Sequence, residues 1–223
     1  IDIINGYGMT ENCAITTQIP GSNFSKPGSV GTVQPNVEIK IDEESEEILM
    51  RGPYVMLGYY NDSETTNNTI KNGWLHTGDK GKIDEDGHLY ITGRVKDTFK
   101  TSKGEFIDPA KIEALYGDVK YFGQMCVVGF GIPQPIMLVN ISEVGKKLSN
   151  DELIKKLEEK LAYVNSKAFN YLRVSTIVIC KDEWTPQNEI LTPTMKIKRG
   201  NVDKMYMNKY DEWHHADDKV IWE

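Results

Sequence analysis

Gly93-Arg94-Val95-Lys96-Asp97-Thr98-Phe99-Lys100-Thr101-Ser102-Lys103-Gly104-Glu105-Phe106-Ile107 separates two kinds of sequence. A hairpin rhythm runs up to it and a helix-rich pattern runs away from it. The stretch concentrates charge, opens on one glycine and carries another near its end, then meets Asp108-Pro109, a helix cap followed by a first-turn proline. On pattern alone it is a solvated connector between two folded parts. Its neighbours offer a second reading.

Upstream, residues 29–93 alternate strands and turns. Gly31-Thr32-Val33 and Val37-Glu38-Ile39-Lys40-Ile41 follow period two. Acidic residues 42–47 form a turn, and Ile48-Leu49-Met50-Arg51 returns. Gly52-Pro53 and Gly58 punctuate the next segment, and residues 61–70 suit a short helix. Glu85-Asp86-Gly87, between Gly81-Lys82-Ile83-Asp84 and His88-Leu89-Tyr90-Ile91-Thr92, is a hairpin signal. This predicts a small β-barrel-like unit. Ahead of it, Ile3-Ile4 reads as a strand end and Asn5-Gly6-Tyr7-Gly8-Met9-Thr10-Glu11-Asn12 as a glycine-rich turn.

Downstream, residues 108–115 predict a short helix, and residues 125–130 and 136–141 paired strands around Gly131-Ile132-Pro133-Gln134. Ser149 and Glu152 form a capping box. Leu153, Ile154, Leu157, Leu161 and Val164 then give a helix one apolar face, which reads as core. Residues 174–179 are rich in β-branched side chains and predict a third strand. An acidic-aromatic helix follows from Asn201, its Met and aromatic side chains suited to core or to a neighbour.

The 223 residues are long enough for one large or two small domains, and 39% hydrophobic and 26% charged are ordinary globular fractions. A net charge of −7 argues against non-specific nucleic-acid binding. Cys13, Cys126 and Cys180 lack metal spacing, which predicts buried thiols in a reducing, cytoplasmic setting. No apolar run reaches membrane-span length, and no secretory leader is expected. The chain starts without an initiator methionine and reads as a piece of a longer protein.

Besides the connector, three stretches hold candidate chemistry, each with a plain reading beside the functional one. Tyr7 to Glu11 is either a strand-to-loop corner or a nucleotide corner. In the second reading Gly8 lets backbone approach a ligand, Tyr7 stacks on a base, and Thr10 and Glu11 serve a phosphate oxygen and its Mg²⁺. Gly73-Trp74-Leu75-His76-Thr77-Gly78-Asp79 is either a tight turn with Trp74 in the core, or a site where Asp79 accepts from a ribose diol with Arg94 assisting. Lys196, Lys198 and Arg199 are either a solvated basic face or the carriers of a phosphate-seeking lysine.

Taken in order, Tyr7-Gly8-Met9-Thr10-Glu11, Thr77-Gly78-Asp79, Gly93-Arg94-Val95-Lys96-Asp97 and the Lys196 segment resemble the adenylate-forming superfamily of acyl-CoA synthetases, luciferases and peptide-synthetase adenylation domains. Arg51-Gly52-Pro53, Gly58-Tyr59-Tyr60, residues 97–105 and Leu191-Thr192-Pro193-Thr194-Met195-Lys196-Ile197-Lys198-Arg199 resemble long-chain fatty-acid CoA ligases in particular. The resemblance covers essentially the whole chain and corresponds to the family's C-terminal portion.

The resemblance implies an α+β architecture. Residues 1–94 would be a β-barrel-like remnant of a large AMP-binding domain, and residues 95–223 a compact mobile lid, with the hinge at Asp97. It implies that ATP and a carboxylate give an acyl-adenylate, from which the CoA thiol displaces AMP. Tyr7 would stack on adenine, Thr10 contact the α-phosphate, Glu11 hold Mg²⁺, and Asp79 and Arg94 fix the ribose. Lys196 would bridge carboxylate and phosphate, and Gly104 would line the thiol's approach. The family's usual lysine loop carries Gly immediately before the lysine, where this chain has Met195, and Lys198 is a rival assignment. The Ser/Thr/Gly-rich loop for the β- and γ-phosphates has no match in the chain, so the piece alone is expected to be inactive. The other readings are an adenylating enzyme for another acid or a carrier-protein acceptor, and a non-catalytic binding module. Small-molecule substrates are expected as partners, with peripheral membrane contact and oligomeric state open.

Overall fold

The computed structural model describes residues 5–14, 16–18 and 26–223. The expected strand end at Ile3-Ile4 lies outside them. The chain divides into two compact units, residues 1–96 and 97–223. Together they are α+β, and each is described by itself below.

In the first unit, β1 (Gly6–Tyr7), β2 (Thr17–Gln18) and β3 (Thr32–Val33) form a small antiparallel sheet. A second, curled sheet contains β4 (Glu38–Ile41), β5 (Glu47–Arg51), β6 (Ile70–Lys71), β7 (Trp74–Ile83) and β8 (Leu89–Arg94). The helix expected within residues 61–70 is α1 (Ser63–Thr69), capped by the Asp62 carboxylate accepting from Thr65 N. Apolar residues at alternate strand positions bury Ile48, Met50, Leu75 and Leu89 completely, and these form the core of the unit.

The segment read as a tight turn around Gly73 to Asp79 is instead most of β7, which runs ten residues without leaving the sheet. Its first half pairs with β6 and its second half with β8, both antiparallel. The strand survives its glycines because Gly78 takes φ +73, a left-handed turn of backbone that accommodates the local irregularity. Trp74 is not a core plug: it is half-buried, with the Lys40 ammonium and Arg51 guanidinium lying over its ring.

In the second unit a short hairpin, β9 (Phe99–Lys100) and β10 (Phe106–Ile107), precedes α2 (Pro109–Glu113), whose N-cap is Asp108. The main sheet has the order β11 (Phe122–Val128), β12 (Ile136–Ile141), β13 (Ile177–Ile179), β14 (Val220–Trp222). The first pair is antiparallel and the other two parallel. α3 (Asn150–Lys167) connects β12 to β13, while α4 (Arg199–Tyr206) and α5 (Tyr210–His214) lie between β13 and β14. The third strand is shorter than expected, and the helix expected from Asn201 starts at Arg199 and is broken by a 3₁₀ turn at residues 207–209.

Strand alternation sends Val127, Met137, Val139, Ile177 and Ile179 to one face, against Leu153, Leu157, Leu161 and Val164 of α3. Cys126, Leu138 and Val178 go to the other face, against Val202, Tyr206, Tyr210 and Trp213. The aromatic residues of the last helices are therefore core, while Met205 and Met207 are exposed. Burial of the thiols holds for Cys126 and Cys180. Cys13 departs from it: it is exposed, in the left-handed position that ends the 3₁₀ turn at residues 10–12.

Candidate functional site

In the first unit three side chains distant in sequence converge. The Tyr7 hydroxyl, carried by β1, donates to Asp79 Oδ2 at 2.7 Å. Arg94 Nε lies 3.1 Å from Asp79 Oδ1, because Asp79 on β7 and Arg94 on β8 are direct cross-strand partners. Asp79 is oriented from below, its backbone N–H donating to the Thr77 hydroxyl at 3.1 Å. Glu47 braces the bulge, accepting from Gly78 N at 2.8 Å while its other oxygen lies 2.8 Å from His76 Nδ1. Burial, reinforced by the hydrogen bond to Asp79, pushes the Tyr7 phenol well above its ordinary value, so its proton stays on the hydroxyl. The two bonds use two of the roughly four acceptor positions of the Asp79 carboxylate, and others remain for a ligand's hydroxyls.

Beside β1, Thr10 opens the 3₁₀ turn and is exposed. Gly8 is half-buried at the corner before it. Glu11 is held twice: its carbonyl accepts from Met56 N at 2.8 Å, and its Oε1 accepts from the Tyr59 hydroxyl at 2.7 Å. That hydrogen bond is the main reason the Tyr59 phenol is raised. Tyr59 has no role in the sequence reading, although Gly58-Tyr59-Tyr60 was one of its cues. Nothing local in the sequence pairs it with a carboxylate 48 residues away. Among the described residues no three His, Cys, Asp or Glu side chains gather to hold a metal. A lone carboxylate such as Glu11 suits Mg²⁺, which commonly takes one or two carboxylates and fills its shell with water and phosphate oxygens.

In the second unit Lys196 sits at the tip of an exposed loop. The Leu191–Ile197 bridge closes the loop, with Thr192 N donating to Lys196 O at 2.8 Å and Lys196 N to Thr192 Oγ1 at 3.0 Å. Met195 adopts φ +65, the left-handed region that favours glycine. Lys198, the rival, is half-buried and its backbone N–H donates to Ile190 O at 2.8 Å, placing it in the base of the loop. Gly104 turns the exposed tip between β9 and β10 at φ +87, where a side chain would strain the backbone.

Arg199 departs from the solvated basic face that the sequence suggested. It is largely buried and donates through Nε to Asp97 Oδ2 (3.0 Å), through Nη1 to Val127 O (3.1 Å) and Cys126 Sγ (3.2 Å), and through Nη2 to both Glu113 oxygens (2.6 Å each). Its carboxylate partners lie 102 and 86 residues away in sequence, beyond the reach of any local pattern.

The profile for AMP-binding enzymes matches residues 1–60, and that for the AMP-binding enzyme C-terminal domain matches residues 96–218. Long chain acyl-CoA synthetase 6, peroxisomal, from Arabidopsis thaliana is 31% identical over 255 residues, covering 96% of this chain and 36% of its own length. Long-chain-fatty-acid--CoA ligase 6 from Rattus norvegicus is 33% identical over 242 residues, covering 94% and 34%. This chain thus spans about a third of the length of these curated relatives. Among solved structures, the anthranilate CoA ligase AuaEII in complex with anthranoyl-AMP superposes with a TM-score of 0.73 at 25% identity, over 92% of this chain and 40% of that one. The adenylation domain of a carboxylate reductase from Mycobacterium chelonae shares the fold, with a TM-score of 0.78 over 96% of this chain and 35% of that one at 21% identity. Among the described residues no helix is long and apolar enough to cross a membrane. By sequence and by fold, the chain belongs to the AMP-binding, adenylate-forming enzymes and is similar to their long-chain fatty-acid CoA ligases.

Proposed function

We propose that the protein to which this chain belongs is an ATP-dependent acid–thiol ligase. It activates a fatty acid as its acyl-adenylate and transfers the acyl group to CoA. The observation that carries this reading is the convergence of the Tyr7 hydroxyl, the Asp79 carboxylate and the Arg94 guanidinium, 72 and 15 residues apart along the chain.

In this reading Asp79 keeps acceptor positions for the ribose diol, and Arg94, largely exposed, turns spare donors toward the sugar or a phosphate. Tyr7, held by its hydroxyl, presents its ring to adenine beside Gly8. Thr10 supplies a hydroxyl to the α-phosphate. Glu11, steadied by Tyr59, would hold Mg²⁺, which when bound supplies charge neutralisation for the phosphates. Lys196 carries the ammonium that approaches carboxylate and phosphate as their negative charges crowd together. Its exposed, hydrogen-bonded loop suits that role better than the half-buried base where Lys198 lies. Gly104 leaves the thiol's path open, and Asp97, the first residue of the second unit, serves as the hinge. The curated relatives near 30% identity favour a fatty acid over the anthranilate of the solved ligase.

One charge contact at about 4 Å in an effective dielectric near 20 is worth about 4 kcal/mol before desolvation. In the intact protein Lys196→Ala is therefore expected to slow ATP–pyrophosphate exchange with a fatty acid about a hundredfold or more, and Lys198→Ala by less than about threefold. Undiminished exchange in Lys196→Ala would favour a non-catalytic module. A wild type active only with aryl acids would move the substrate assignment to that class.

A further inference from the structure

Arg199 is a largely buried charge in the second unit that this reading leaves without a task. All five of its N–H donors have partners, and these come from three elements besides its own: Asp97 at the start of the unit, Glu113 at the end of α2, and Cys126 and Val127 on β11. The grip is uneven. Glu113 receives both Nη2 bonds and a further one from Val127 N at 2.7 Å, so that side is fixed to the sheet. Asp97 is held by the single Nε bond, with its side chain 29% exposed against 17% for Glu113. Arg199 is also only three residues beyond Lys196, at the first position of α4.

We propose that Arg199 is a positioning residue that latches Asp97 to the base of the Lys196 loop, so that the residue where the second unit begins and the lysine it carries hold one fixed geometry. The latch rests on the ligase reading, since it supposes two half-reactions that need different lid settings. Glu113 and Val127 hold the guanidinium through more bonds than Asp97 does, so Asp97 is the side of the latch with least to lose on release. A bare stabilising ion pair would need no such asymmetry.

The experiment uses the intact enzyme and reads each half-reaction separately: ATP–pyrophosphate exchange, and single-turnover transfer from preformed acyl-adenylate to CoA. Asp97→Ala and Arg199→Lys remove the same bond from opposite ends, the second because an ammonium lacks the planar fork. Both are expected to shift the ratio of the two rates by about tenfold and in the same direction, the size of one charge-assisted hydrogen bond. Asp97→Asn keeps an acceptor for Nε–H and should return the ratio to within about threefold of wild type. The double variant should shift no further than the larger single. Asp97→Ala replaces a side chain more exposed than Arg199, so the test stands even where Arg199→Lys folds poorly. A ratio unmoved in Asp97→Ala, whatever happens to thermal stability, or additive effects in the double variant, overturns the latch. A wild type without any adenylation overturns the ligase reading as well, and so separates the two failures.

Discussion

Met195 shows how one side chain records a compromise. The lysine loop turns through a left-handed residue, φ +65, and an L side chain there costs about 1–3 kcal/mol. Glycine removes that cost but gives back about 0.5–1 kcal/mol through the entropy of the unfolded chain. Met195→Gly should therefore stabilise the protein by about 1 kcal/mol, the middle of the difference between the two terms, read as a higher urea midpoint at unchanged slope. A lower midpoint would mean that the exposed Met195 side chain makes contacts worth more than its backbone strain. The same backbone is one that glycine, the residue the family resemblance leads one to expect here, adopts without strain. As candidates, Tyr7, Asp79 and Arg94 were legible because each sits in a short motif; their roles stand as the proposal, and what the structure adds is their mutual bonds. Arg199 and Tyr59 were not, because their meaning lies in carboxylates dozens of residues away.

At the scale of elements, α3 was readable in full. The Ser149 hydroxyl accepts from Glu152 N at 3.3 Å while the Glu152 carboxylate accepts from Ser149 N at 3.2 Å, the reciprocal pair that the spacing announces. Four apolar positions, Leu153, Leu157, Leu161 and Val164, all face the core. Cap and stripe should separate cleanly in stability measurements. Ser149→Ala is expected to cost about 1 kcal/mol, and Leu157→Ala, at a fully buried position, about 2–5 kcal/mol. Equal losses at the two sites would contradict the packing described. The hairpin across residues 83–89 was equally plain, since Asp86-Gly87 admits few alternatives. β7 was misread because glycines at 73 and 78 imitate punctuation, while its pairing comes from three other strands. β14 was missed because its three residues carry too little pattern; only its parallel register on β13 makes it a strand.

Across the described residues, the second unit has two cores, one on each face of its sheet, and the first has one small core. The larger pair buries acidic protons. Burial pushes the Cys126 and Cys180 thiols up to about 12, the Arg199 guanidinium partly opposing this at Cys126, and it pushes the Tyr206 phenol up to about 12 as well. Unfolded, these groups ionise at their ordinary values near 9 and 10. The unfolded chain then holds fewer protons than the folded one above pH 9, and stability must fall as pH rises from there toward 12. A loss of more than about 2 kcal/mol between pH 8 and 11 is expected in urea unfolding, at about 1.4 kcal/mol per pH unit for each fully coupled group. A flat profile over that range would show that the thiols and phenol reach water. The α+β class followed from the family resemblance, and the separate characters of the two halves were visible in the change of rhythm at residues 93–107. The parallel crossovers that build the second sheet were not, because they join segments separated by whole helices.

The placement of indole rings carries an optical consequence. Trp184 and Trp213 are sealed within one core of the second unit, only 3% and 5% exposed, while Trp74 in the first unit is half-buried between two cations. Emission from the sealed pair should start blue and move red when water arrives. A fluorescence melt would therefore follow chiefly the second half of the chain, whose third indole, Trp222, is already exposed, and the β-rich half, with partly wetted Trp74 as its reporter, would change colour less as it came apart.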